Sequence, residues 1–98
     1  MYVIRDIFNL KFGHYKDVKA LLDDAVKKSL LPNNQNMKAL TDFTGDSYRL
    51  IFEQSSDSLT EYEKTLQESM GKNEWQNWYE KFKPHVNSSY REILRQVI

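Results

Sequence analysis

The chain has 98 residues, with 14 basic and 14 acidic side chains and no cysteine. That length predicts one domain over residues 1–98. The balanced charge argues against a nucleic-acid partner, which calls for a basic excess to neutralise phosphates, and the lack of cysteine excludes disulfides, thiolate metal sites and a cysteine nucleophile.

The sequence also lacks an apolar run near the roughly 18 residues of a membrane span. Met-Tyr-Val-Ile-Arg-Asp at the start has no signal-peptide pattern, so a cytoplasmic location without a membrane partner is expected. Hydrophobic residues make up 40% and charged residues 29%, an ordinary globular mixture. The aromatic share of 13% exceeds what so small a core readily takes up, which points to a pocket or an interface.

Residues 2–10 read as a strand with apolar groups on both faces: Val3, Ile4, Ile7, Phe8 and Leu10. After Gly13 the period changes. Val18, Leu21, Leu22, Ala25 and Val26 form one helical stripe within residues 15–30, and Pro32-Asn33-Asn34 is expected to stop it. Residues 37–44 and 47–54 read as strands joined by a turn at Gly45-Asp46, and so short a connection makes them an antiparallel hairpin.

Ser58 and Glu61 have capping-box spacing at the start of a second helix, with Leu59, Tyr62, Leu66 and Met70 as its apolar stripe. Gly71-Lys72-Asn73 interrupts that helix. Trp75, Trp78, Tyr79 and Phe82 continue at helical spacing until Pro84, and residues 89–98 close the chain as a fourth strand.

The order β-α-β-β-α-β is the ferredoxin-like split βαβ arrangement, an α+β fold with a four-stranded antiparallel sheet and two helices on one face. The other face lacks a clean polar pattern. Ile7 alternates with Arg5 and Asn9, Ile51 with Arg49 and Glu53, and Ile93 and Val97 with Arg91 and Arg95. A homodimer closed sheet to sheet is the expected cover for such a face.

The opening YVIRDIFNLKFGHYKDVKALLDDA and the closing EWQNWYEKFKPHVNSSYREIL resemble NIPSNAP-like proteins of the dimeric α/β-barrel superfamily, which also holds antibiotic-biosynthesis and haem-degrading monooxygenases. The resemblance implies a homodimeric barrel with a pocket inside it or between sheet and helices. The expected function is binding of a small apolar or aromatic molecule, without a required cofactor. Arg5, Arg49, Glu53, Trp78 and Arg95 are the expected pocket residues.

The alternative is a monooxygenase, either cofactor-independent or haem-dependent. Haem-degrading relatives use an Asn on the first strand with a Trp and a His on the second helix. The matching positions here are Asp6, Trp75 and His85, so the first departs from the pattern, and Pro84 disturbs the helix beside the third. For a cofactor-independent reaction, Asn77, Trp78, Arg91 and Arg95 are donors suited to a developing oxyanion. The plain alternative makes the tryptophans packing groups and His85 a helix-end residue. His14 and His85 are the sole histidines. No short ligand spacing supports a metal shared between them and Asp6 or Glu53, so no metal is expected.

Overall fold

The computed structural model describes residues 1–31, 36–45 and 48–98. Its elements are β1 (Tyr2–Leu10), α1 (Tyr15–Lys27), β2 (Lys38–Thr41), β3 (Arg49–Ser56), α2 (Leu59–Met70), α3 (Asn73–Phe82) and β4 (Val86–Arg95). A single 3-10 turn, Lys83–His85, joins α3 to β4. The strands form one sheet in the order β2-β3-β1-β4, with every neighbouring pair antiparallel. This is the ferredoxin-like βαββαβ arrangement.

Several boundaries differ from the sequence reading, each for a local reason. Helix α1 ends at Lys27 rather than residue 30. Ser29 takes the left-handed conformation (φ 54°), and Leu30 N–H donates to the Ala25 carbonyl while Ser29 N–H donates to Val26. This is a Schellman stop with serine in the seat glycine usually holds, so no glycine announces it. The expected stop at Pro32-Asn33-Asn34 lies outside the described residues, as does Asp46 of the expected turn.

Strand β2 spans four residues instead of eight. β4 starts three residues early, because Leu10 pairs with Val86 beyond a register shift at Asn9. The second helical stretch is two helices, parted at Gly71-Lys72 as the sequence reading expects. Gly71 caps α2, and the Gln76 side-chain amide donates to the Met70 carbonyl at 3.2 Å. At the other end of α2, Ser58 Oγ accepts from Glu61 N–H at 3.3 Å, the backbone half of the anticipated capping box.

The core lies between the sheet and the helices. Leu10, Leu50 and Phe52 from the strands meet Val18, Leu22 and Ala25 of α1 and Trp78 and Phe82 of α3. Phe82 is 1% exposed, its ring edge-on to Phe8 at 5.0 Å and stacked on Trp78 at 5.1 Å. The Trp78 indole N–H donates to the Leu21 carbonyl at 2.7 Å, which ties α3 to α1 and satisfies the polar atom of a buried ring.

Strand alternation then assigns the second face. Because Phe8, Leu50 and Phe52 face the helices, Val3, Arg5, Ile7 and Asn9 face away, with their partners in register. On β4 the outward residues are Ser88, Tyr90, Glu92 and Leu94. Ile93, Arg91 and Arg95, grouped in the sequence reading with the outward residues of β1 and β3, have the opposite parity and lie on the helix side.

Candidate functional site

The helix-free face is banded. One row across all four strands is apolar: Leu40, Ile51, Ile7 and Tyr90. The next row alternates in sign: Lys38, Glu53, Arg5 and Glu92. Within it Arg5 Nε donates to Glu53 at 2.8 Å and its Nη1 to Glu92 at 3.4 Å, and these carboxylates raise the Arg5 pKa. Val3 and Leu94 form a second apolar band beyond. Ile7 is only 3% exposed although no helix lies over it, whereas Tyr90, Leu40 and Leu94 are 52%, 42% and 41% exposed.

On the helix side, Asp6 and Arg91 are cross-strand partners joined by a 2.5 Å charge-assisted hydrogen bond. Arg91 also lies over the Tyr62 ring of α2, 5.6 Å from its centroid. Tyr62 is buried, and among the described residues its hydroxyl has no hydrogen-bond partner. Burial and the nearby Asp6 charge both raise its pKa. Tyr62 and the buried Gln54 line a cleft of about 520 Å³ between α2 and the sheet, together with Ser55, Ser56 and Thr65.

A buried, unpaired hydroxyl costs free energy. Tyr62→Phe is therefore expected to leave stability unchanged or raise it by up to about 1 kcal/mol, read by urea unfolding. The sign of the pH effect follows from the raised pKa. Tyr62 disfavours ionisation in the fold, so its contribution is whole below the ordinary tyrosine pKa and lost as pH rises through the raised one. The phenylalanine variant should lose less stability on alkaline titration.

The remaining sequence-predicted residues are dispersed. Trp75 stacks on Tyr79 at 4.8 Å. Asn77 is exposed and lines, with Trp78, Asp24, Lys28 and Leu30, a second cleft of about 560 Å³ between α1 and α3. Arg5, Arg49 and Glu53 share the helix-free face, while Trp78 lies in the core and Arg95 on the helix side of β4. Arg49 is held by the Asp42 carboxylate at 2.9 Å. Asn9 faces away from the helices and donates to Ser88 Oγ at 2.9 Å.

His85 lies in the 3-10 turn just before Val86, whose partner is Leu10. Asp6 is four residues back along β1, roughly 13 Å away at the rise of a strand. These positions do not assemble into a haem site: the carboxylate is engaged by Arg91, and His85 Nδ1 lies 2.8 Å from His14 Nδ1. Neither Asp6 nor Glu53, the carboxylates considered for a shared metal, is near the two histidines; Asp17 is. That meeting was invisible to spacing rules because 71 residues separate the pair.

No protein-family model matches the chain, and no curated protein matches it in sequence. Solved structures do. An uncharacterised NIPSNAP domain protein from Burkholderia xenovorans is 13% identical with a TM-score of 0.84, over 99% of this chain and 95% of that one. A NIPSNAP family protein from Agrobacterium tumefaciens is 17% identical with a TM-score of 0.84, over 98% and 92%. An antibiotic biosynthesis monooxygenase is 10% identical with a TM-score of 0.68, over 100% of both chains. At such identities the likeness establishes the fold.

Proposed function

We propose, from the fold shared with NIPSNAP-domain proteins, that the chain is a homodimeric small-molecule-binding protein. The ligand is a small aromatic compound carrying acceptor oxygens, seated in the cleft between α2 and the sheet. The observation that carries this reading is the buried Tyr62 hydroxyl without a partner, in a residue that lines that cleft beside Gln54. Buried polar groups are nearly always hydrogen-bonded, so an unpaired one beside a cleft marks a place where a ligand atom gains a bond at no competing cost. Gln54, Ser55, Ser56, Thr65 and Lys38 supply donors in a lining that also holds Asp57 and Glu61, which favours a neutral ligand with oxygens over a purely apolar one.

The assembly rests on the banded face. Two copies facing each other bury the row Leu40, Ile51, Ile7 and Tyr90. The adjoining row carries two positive and two negative side chains, with Arg5 bonded to both carboxylates, so its burial introduces no net charge.

Native mass spectrometry of the purified, untagged protein tests both parts. The expected result is a dimer with added mass that is lost in Tyr62→Phe. A monomer at tens of micromolar would remove the dimer, and retained mass that the substitution does not affect would remove the cleft. Cofactor-independent oxygenation of a phenol is the second reading. It is favoured by the Arg91 guanidinium fixed by Asp6 over Tyr62, a pre-set cation of the kind that stabilises an oxyanion. Dioxygen uptake with activated phenols, abolished in Arg91→Gln, would support it; no uptake leaves binding alone.

A further inference from the structure

Both histidines of the chain meet at one point. His14 is the residue before α1, and His85 ends the turn before β4. Their Nδ1 atoms are 2.8 Å apart, with ring planes inclined at 63°. Asp17 lies one helical turn after His14, and one ligand atom from each of the three residues falls within 4.8 Å of the others. The two histidines are half-buried and Asp17 is exposed.

The backbone fixes this convergence. Lys11 N–H donates to the His85 carbonyl at 2.9 Å, and His14 N–H donates to the Lys11 carbonyl at 3.0 Å. One residue at the exit of β1 thus clamps both histidine backbones. Gly13, at φ 80°, supplies the left-handed step that turns the chain from the strand into the helix. His14 and Asp17 are three apart at the helix start, so they project from one face.

The geometry points to a divalent transition-metal site formed by His14, Asp17 and His85, of the class that takes Zn²⁺. Two imidazoles and one carboxylate are a recurrent zinc donor set that leaves a fourth position for water. At Zn–N bonds of about 2.0–2.1 Å, tetrahedral ligand nitrogens lie roughly 3.3 Å apart. The Nδ1 atoms therefore need to part by about half an ångström, a small ring rotation. The short Nδ1 contact requires that one nitrogen carry a proton and the other a lone pair. Metal entry displaces that proton and gives both lone pairs a shared acceptor. Asp17 is free to swing in, since it is exposed on the first turn of α1.

This inference is independent of the α2 cleft and of the dimer. Its test is titration of the untagged full chain with Zn²⁺ alone, by calorimetry and by thermal melting with and without EDTA. The expected result is one Zn²⁺ per chain at micromolar affinity, with a melting temperature that rises on addition and falls back with chelator. Co²⁺ should bind with visible absorption of a low-coordinate site. His85→Gln and His14→Gln should each weaken binding at least a hundredfold. Asp17→Asn, exposed and safe for folding, should weaken it about tenfold, the scale of a lost outer partner or weak ligand. Binding weaker than millimolar in the native chain, or affinity unchanged in the histidine variants, would overturn the site and leave a histidine–histidine hydrogen bond.

Discussion

Phe82→Ala is expected to lower stability by about 3–5 kcal/mol, the usual cost of removing a buried phenylalanine. The ring is 1% exposed and contacts Phe8 from β1 and both Trp78 and Tyr79 from α3. None of those neighbours can collapse freely into the space. Trp78 is tethered through its indole N–H to Leu21, and Phe8 is fixed in a central strand between β3 and β4. The cavity term therefore adds nearly in full to the transfer term. For so small a domain, with about 5–10 kcal/mol in total, the variant should be close to unfolding at 37 °C. Urea denaturation followed by tryptophan fluorescence checks this, and a loss under 1 kcal/mol would place Phe82 outside the core.

The second large effect concerns association. Tyr90→Glu combined with Leu94→Glu is expected to convert the dimer proposed above into a monomer. Both side chains point away from the helices and are 52% and 41% exposed in the isolated fold, so the substitutions should change monomer stability little. In a two-fold dimer each occurs twice. Four side chains at about 1.5 kcal/mol each remove roughly 6 kcal/mol of burial. That corresponds to a dissociation constant raised about ten-thousandfold. Light scattering after size exclusion reads the change. A double variant still dimeric at micromolar concentration would mean that association uses another surface.

Much of the fold was legible because strand and helix periods are local. Of the α1 stripe, Val18, Leu22 and Ala25 are buried and Leu21 partly so, while Val26 at its edge is 55% exposed; the outward set Arg5, Ile7 and Asn9 follows from strand alternation and matches the structure. Features set by partners distant in sequence were not legible. The parity of β4 is set by its pairing with β1 at the other end of the chain, which puts Tyr90, Glu92 and Leu94 opposite Ile7, Arg5 and Val3 and leaves Arg91, Ile93 and Arg95 on the helix side. The stop of α1 rests on a serine in an unusual conformation. Nothing local links Asp6 to Arg91; only the pairing of β1 with β4, 85 residues apart, joins them beside Tyr62.

The central position of β1 bears on how the molecule acquires its structure. Its two neighbours, β3 and β4, come from the middle and the far end of the chain. Contacts such as Arg5 with Glu53 and Asp6 with Arg91 close loops of 48 and 85 residues. Pairings this distant must meet their loop-closure entropy before they return any stabilisation, which slows folding relative to a helical protein of equal size. On the ribosome β1 emerges before both of its partners and is among the last strands to be completed. Until residues 86–95 are released, one edge of β1 carries unsatisfied amides and carbonyls beside Ile4, Ile7 and Phe8, and the nascent chain must be kept from pairing that edge with another copy.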